Sequence, residues 1–241
     1  LDGRRISEML SSITQPQLER YYKLRYDRAC KHSDSAVTLS FDSTSISTYS
    51  NTINAAAWGH AKQNPELRQV NYMTVCDHAT GDVVFACSFD GSINDQTILP
   101  EIYLRMKLAG LDLTNNILVT DHGFQSIYNT QTAINLNLKY IQFLSLKEGA
   151  VKAHLQRHKQ ALCDSIAHKD PVLGISAIAV PDDWKENTDA GPIPIKAYLH
   201  LYRDAVMAEL QINELYPDVL KALDLKNEIG GSRFEATEAA H

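Results

Sequence analysis

The spacing of apolar and polar residues predicts helices at the start of the chain and a strand after them. Apolar residues recur at helical spacing over residues 3–29, and Pro16 interrupts the pattern, which predicts two helices. Residues 37–41 alternate apolar and polar side chains and predict a strand that ends at Asp42. Residues 43–68 are mostly polar, and we expect a long loop there.

The centre of the chain has the pattern of an α/β sheet. The predicted elements after the first strand are two hairpin strands at 70–76 and 83–89, a helix at 95–110, a strand at 117–120 that ends at Asp121, a helix at 124–137 and a strand at 140–144. The last two strands are joined through a helix, so we expect them to be parallel, with a right-handed crossover.

Residues 148–241 have a less regular spacing of apolar and polar residues than the centre of the chain. The predicted features are a charged helix at 148–168, irregular or short β structure at 170–195, a strand at 195–202, an amphipathic helix at 205–226 and a polar tail at 230–241. Pro, Asp and Gly are frequent between residues 170 and 195, and this composition favours turns over regular strands.

Composition indicates an ordinary soluble globular protein. Of the 241 residues, 44% are hydrophobic and 22% are charged, and no apolar run approaches the roughly 20 residues of a membrane span. We find no signal peptide, so we expect a cytoplasmic protein without a membrane partner. The four cysteines form no C-x-x-C pair and are expected to be reduced core thiols. The first residue is Leu1 rather than Met, so we expect the native N-terminus to be missing.

The net charge of −6 argues mildly against a protein dedicated to nucleic-acid binding, because such proteins are usually basic. The charge is uneven along the chain: residues 1–36 carry +2, residues 37–147 carry −3 and residues 148–241 carry −5. The basic excess therefore lies in the predicted N-terminal helices. The acidity elsewhere fits either a solvated surface or one that bound metal ions neutralise in part.

Two aspartates are the main candidates for chemistry. Asp42 and Asp121 each follow a predicted strand directly, and ligands of open α/β sheets bind outside such strand ends. If the two strands are adjacent and parallel, both carboxylates enter one crevice and repel each other unless a cation lies between them. Mg²⁺ prefers such oxygen ligands. The alternative is that each aspartate only caps the turn after its strand.

Several short motifs add to this picture because they occur in a fixed order. In chain order they are Phe41-Asp42-Ser43-Thr44, Gly59-His60-Ala61-Lys62, Gln69-Val70, Asp77 with Gly81, Gly91 to Asp95, and Thr120-Asp121-His122-Gly123. The ordered set, over about residues 37–147, resembles DDE transposases of bacterial insertion sequences, and the type-four group best. His122 departs from that pattern, since the family usually has Arg after the second Asp.

This resemblance implies an α/β fold, namely a ribonuclease-H-like mixed five-stranded sheet of order 3-2-1-4-5 with flanking helices, plus an α+β insertion. The implied parts are an N-terminal helical segment at 1–36, the catalytic core at 37–147, a partial insertion subdomain at 148–229 and the polar tail at 230–241. The implied activity is hydrolysis of a phosphodiester at a transposon end, followed by joining of the freed 3′-hydroxyl to target DNA.

The resemblance also implies cofactors, site residues and partners. Asp42 and Asp121 would hold Mg²⁺ or Mn²⁺, while water and then the 3′-hydroxyl act as nucleophiles. Lys62 and His122 are the candidate DNA contacts. The partners would be double-stranded DNA, as terminal repeats and target, and a second copy of the chain in a full-length homodimer.

The third acid of such a site is unknown. The family's last motif, Tyr-x-x-Arg-x-x-x-Glu, is absent: Tyr22 and Arg25 begin it, but Ala29 stands where Glu should be. Glu209 and Glu214, on the predicted late helix, are the internal substitutes. We therefore expect a chain that is cut short before its third acid and that binds Mn²⁺ or Mg²⁺ weakly, through both aspartates.

Two other functions remain open. The first is a truncated, catalytically inactive transposase remnant that folds or binds DNA without cutting it, and the reading frame beyond His241 would separate truncation from decay. The second is an aspartyl phosphatase of the haloacid-dehalogenase type with Asp42 as nucleophile. That class normally has a second Asp two residues later, where this chain has Thr44.

Overall fold

The computed structural model describes residues 2–33, 36–59, 64–114, 116–146, 149–188, 191–211 and 221. The chain divides into two compact units, at 1–146 and 147–241. The elements of the first unit are α1 (Gly3–Ser11), α2 (Gln15–His32), β1 (Thr38–Thr48), β2 (Arg68–Asp77), β3 (Val83–Asp90), α3 (Asp95–Leu108), β4 (Ile117–Thr120), α4 (Ile127–Asn135) and β5 (Lys139–Gln142). A short 3-10 helix, His122–Phe124, follows β4.

The N-terminal helices form as the pattern predicts. Gln17 accepts a hydrogen bond from the backbone N–H of Thr14 at 2.8 Å, and Pro16 lies in the first turn of α2, where its missing N–H costs no helical bond. Tyr22 and Tyr26 form the predicted apolar stripe, and both are buried. The Tyr22 ring lies 5.0 Å from the ring of Phe85, so α2 packs on the sheet through β3.

The five strands form one mixed sheet of order β3-β2-β1-β4-β5. β1 is antiparallel to β2 and parallel to β4, β3 is antiparallel to β2, and β5 is parallel to β4. The strand order, the α/β class and the parallel pair predicted for the last two strands are confirmed. The ribonuclease-H-like arrangement therefore places β1 at the centre of the sheet, with β4 beside it.

The hydrophobic core lies on one face of this sheet. Phe41 on β1 meets Tyr103 of α3 edge to face, with ring centroids 5.8 Å apart. Phe85 is on the same face, because it pairs with Val75, which pairs with Phe41. The completely buried members of this core include Leu39, Met73, Val75, Leu99, Ile102, Met106 and Leu118. Each such side chain contributes about 1.5–3 kcal/mol relative to an exposed one.

β1 is longer than the sequence predicts. It continues through Asp42 to Thr48 and pairs with β2 as far as Arg68, so the loop predicted at 43–68 begins only after residue 48. The prediction was wrong because the inward positions after Phe41 are Ser43 and Ser45, which are buried although they are polar. Apolar alternation is the usual signal of a strand, and two buried serines remove it.

The second unit contains α5 (Gly149–Asp164) and a long antiparallel hairpin of β6 (Ile175–Thr188) and β7 (Gly191–Asp204). The expectation of irregular or short β structure at 170–195 was therefore wrong in the length of the strands, since each has 14 residues. Proline is tolerated in such a hairpin, because each strand of a two-stranded sheet has an unpaired edge that needs no N–H donor. Residues 205–211 are helical, and the rest of the predicted late helix and tail lies outside the described residues, residue 221 excepted.

Within the described ranges, none of the helices is both long enough and apolar enough to cross a membrane.

Candidate functional site

Asp42 and Asp121 directly follow two residues that pair with each other on the adjacent parallel strands β1 and β4. The last register pair between β1 and β4 joins Phe41 to Thr120, and each aspartate is the next residue of its own chain segment. Neighbouring strands lie about 4.8 Å apart, so the two backbones are close at this point. Both aspartates are exposed. The predicted adjacency is confirmed, although Asp42 lies inside β1 rather than at its end.

The Asp42 side chain lies on the sheet face opposite the helices, since its neighbours Phe41 and Ser43 are buried on the helix face. Its carboxylate is near the thiol of Cys76 on β2: burial raises the pKa of that thiol, and the negative charge of Asp42 raises it further. The hydroxyl of Thr74 donates to the backbone carbonyl of Asp42 at 3.4 Å. The carboxylate of Asp42 is therefore exposed to solvent at a position where β1 pairs with β2, one residue beyond its last pair with β4.

Asp121 caps the 3-10 helix that follows β4. Its Oδ1 accepts a hydrogen bond from the backbone N–H of Gly123 at 2.9 Å. The capping alternative of the sequence analysis thus has a structural counterpart at this residue. Capping does not exclude metal binding, because an ionised carboxylate has about four acceptor positions and the cap uses one.

Asp95 is a third carboxylate near this edge of the sheet, and the sequence predicts it only as the first residue of a helix. Asn94 is the cap of α3, since its side chain accepts from Thr97, and Asp95 is the first helical residue. The hydroxyl of Ser43 donates to Oδ2 of Asp95 at 2.7 Å. The sequence signal for this residue was its place at the end of the motif that begins at Gly91.

A polar cleft of about 620 Å³ opens beside this contact. Its lining includes Ser43, Ser45, Gln69, Asn71, Asp95 and Gly123. Gln69 is buried and donates through Nε2 to Asn71 and to the carbonyl of Gly91, at 3.1 and 3.0 Å. The cleft is therefore rich in hydroxyl and amide groups.

Of the other predicted site residues, the structure places only His122 beside the two aspartates. His122 is exposed and begins the 3-10 helix directly after Asp121, so it lies beside the candidate site. Glu209 is exposed on the helical residues 205–211 of the second unit. Lys62 and Glu214 lie outside the described residues. Among the residues that the structure describes, no group of three or more His, Cys, Asp or Glu side chains could hold a metal ion, so the third acid stays unassigned.

Comparisons with known proteins give a likeness of fold only. No protein-family model matches the chain, and no curated protein sequence matches it. A piggyBac transposase synaptic complex with hairpin DNA is 12% identical, with a TM-score of 0.37, and the match covers 83% of this chain and 40% of that one. A Mos1 transposase paired-end complex with the left transposon end is 11% identical, with a TM-score of 0.32, and the match covers 64% and 57%.

The chain thus spans 40% and 57% of the lengths of these two solved structures. Identities and TM-scores this low carry no argument about activity. The assignment to bacterial insertion sequences stays a prediction.

Proposed function

We propose that this chain is the catalytic core of a metal-dependent DNA strand transferase of the DDE transposase kind. One observation carries the proposal: Asp42 and Asp121 each directly follow a member of the last register pair, Phe41 and Thr120, between the adjacent parallel strands β1 and β4 of a sheet with order 3-2-1-4-5. The sequence motifs around both residues support it independently, because they depend on local sequence and not on the strand order.

The chemistry of the two side chains fits Mg²⁺ or Mn²⁺. Asp42 and Asp121 offer hard carboxylate oxygens, both are exposed, and each follows a residue of the last register pair between β1 and β4. A bound ion would supply charge stabilisation at the phosphate that reacts. The role of the two aspartates would be to bind and orient it, and the paired ends of β1 and β4 directly before them are a rigid support for that role.

Two residues are proposed for DNA contact. His122 follows Asp121 directly and is exposed, so it can donate to a phosphate oxygen near the bound ion. Lys62 is proposed for the same role from the sequence alone. The net charge of −6 supplies little general attraction for DNA, so we expect affinity to depend on the metal ion.

The second candidate is a chain that folds and binds DNA but does not cut it. It is favoured by the hydrogen bond from Gly123 to Asp121, which is the contact expected of an aspartate with a capping role. Positioning dominates catalysis of phosphoryl transfer, so a site with two assigned carboxylates should act slowly.

Mn²⁺ titration by calorimetry tests the proposed site. Asp42→Asn and Asp121→Asn should each weaken Mn²⁺ binding at least tenfold, about 1.4 kcal/mol. Asp27→Asn is the matched control, because it removes one carboxylate of α2 that pairs with Lys23 and should leave the affinity unchanged. Equal binding by Asp42→Asn and the unmodified chain would refute the shared site.

A cleavage assay then separates the two candidate functions. A labelled terminal-repeat duplex is incubated with the chain and Mn²⁺, and slow cleavage that needs both Asp42 and Asp121 supports the enzyme. DNA binding without any cleavage supports the second candidate. Robust cleavage that is abolished by Glu209→Ala would identify Glu209 as the third acid and overturn the expectation that the third acid is missing.

A further inference from the structure

Asp95 contacts the segment that contains Asp42 from the opposite face of the sheet. Its Oδ2 accepts the hydroxyl hydrogen of Ser43 at 2.7 Å, and Ser43 directly follows Asp42 in β1. Ser43 is only 7% exposed and Asp95 is half-buried, so this hydrogen bond lies in the wall of the cleft and is part-buried. The bond connects the first turn of α3 to the strand position next to the first candidate ligand.

Asp95 also approaches the segment that follows the second candidate ligand. A methyl group added at Gly123 would lie 3.6 Å from Oδ2 of Asp95 and 3.1 Å from Oδ1 of Asp121. The backbone N–H of Gly123 donates to that same Oδ1. Two carboxylate oxygens therefore converge on Gly123, one from the start of α3 and one from the start of the 3-10 helix.

We propose that Asp95 is a positioning residue for both metal-binding aspartates, an inference that rests on the proposed function. It holds β1 next to Asp42 through the hydroxyl of Ser43, and it limits the position of Gly123 in the 3-10 helix that Asp121 caps. Residues behind metal ligands commonly fix ligand orientation, and their loss typically weakens metal affinity about 10–100-fold. The charge of Asp95 adds to this effect, because a second carboxylate near Asp121 makes the site more attractive to a cation.

A different role for Asp95 makes a different prediction. An acidic residue in the first turn stabilises a helix through its dipole, by about 0.3–1 kcal/mol. If that were its whole role, removal of Asp95 would lower the stability of the fold and leave the Mn²⁺ affinity of the folded chain unchanged. Metal affinity and unfolding free energy, measured on the same variants, therefore separate the two roles.

The experiment is Mn²⁺ titration by calorimetry, with urea unfolding in parallel. Asp95→Ala should weaken Mn²⁺ binding about tenfold, and Ser43→Ala should weaken it by a smaller factor. In the double variant the loss should be smaller than the product of the two single losses, because the two residues act through one hydrogen bond. Glu101→Ala is the matched control: it removes one carboxylate from the same helix, where Glu101 pairs with Arg105, and should leave the affinity unchanged.

Asp95→Asn provides a second route if the alanine variant does not fold. The amide oxygen can still accept from Ser43 while the charge is lost, so we expect an affinity between those of Asp95→Ala and the unmodified chain. Mn²⁺ affinity that stays unchanged in Asp95→Asn and Ser43→Ala, with binding by the unmodified chain intact, would overturn the role of Asp95 alone. An unmodified chain that binds no Mn²⁺ would overturn the proposed function and this inference with it.

Discussion

Gly91 occupies a point where three chain segments meet, and we expect it to tolerate no side chain. A methyl group there would lie 2.0 Å from the carbonyl oxygen of Gln69 and 2.9 Å from that of Ala57. These are backbone atoms of β2 and of the segment that bridges to it, so no flexible side chain can move aside. Gly91→Ala therefore requires the backbone to separate at the wall of the polar cleft.

The cost follows from the hydrogen bonds that this separation would break. Gly91 donates to the carbonyl of Ala55 at 3.0 Å, and its own carbonyl accepts from Nε2 of Gln69 at 3.0 Å. Ala57 and Gln69 also exchange two backbone hydrogen bonds, at 3.0 and 2.9 Å. Loss of two of these four costs about 2 kcal/mol, and residual overpacking adds about 1–3 kcal/mol. The lower entropy of the unfolded alanine chain returns about 0.5 kcal/mol, which leaves a net destabilisation of about 3 kcal/mol.

Urea unfolding followed by circular dichroism measures this change directly. Gly3→Ala is the matched control, because a methyl group at Gly3 meets no atom within 4 Å and this position begins α1. We expect the control to differ from the unmodified chain by less than about 0.5 kcal/mol. An unfolding free energy of Gly91→Ala within about 1 kcal/mol of the unmodified chain would show that the backbone contact at Gly91 is not rigid, and the reasoning would be wrong.

Two further predictions concern the tyrosines of α2. The Tyr26 hydroxyl donates to the carbonyl of Asp112 and accepts from the Asn116 amide, so Tyr26→Phe should lower the unfolding free energy by about 2 kcal/mol. Tyr21→Phe is the control, because Tyr21 is exposed, and it should change the unfolding free energy by less than about 0.5 kcal/mol. Equal urea midpoints of the two variants would contradict this prediction. Burial raises the pKa of Tyr22 to about 12, so its contribution to stability is complete below pH 10 and is lost as the pH rises through 12. Relative to Tyr22→Phe, the unfolding free energy of the unmodified chain should fall by about 2 kcal/mol between about pH 9 and pH 12. If urea unfolding gives the same difference in unfolding free energy between the two chains at every pH, the Tyr22 phenol is not buried.

Most helices and strands, and the two aspartates proposed as ligands, can be predicted from the sequence alone. The periodicity of apolar residues shows which face of a helix or strand is apolar, and the apolar face is set by the local sequence and does not change on folding. The apolar stripe of α2, the hairpin of β2 and β3 and the short apolar strand before Asp121 were all visible for that reason. The position of Asp42 and Asp121 beside predicted strands was visible in the same way, and their assignment as ligands stays a prediction.

The lengths of β1 and β6 depend on strand pairing and could not be predicted from the sequence. β1 extends to Thr48 because β2 supplies hydrogen-bond partners along its whole length, and a distant partner leaves no mark on local periodicity. β6 became a regular strand despite its turn-forming composition for the same reason, since β7 pairs with it throughout.

The surroundings of the candidate site were also decided by tertiary structure alone. Ser43 and Asp95 are 52 positions apart, and the sequence offered no reason to connect them. They meet because α3 returns across the sheet face on which Phe41 packs against Tyr103. The sequence thus predicts Asp42 and Asp121 as candidate metal ligands, because the motifs around them each span only a few residues. Which side chains support them depends on how helices and strands pack, and packing is a property of the whole fold.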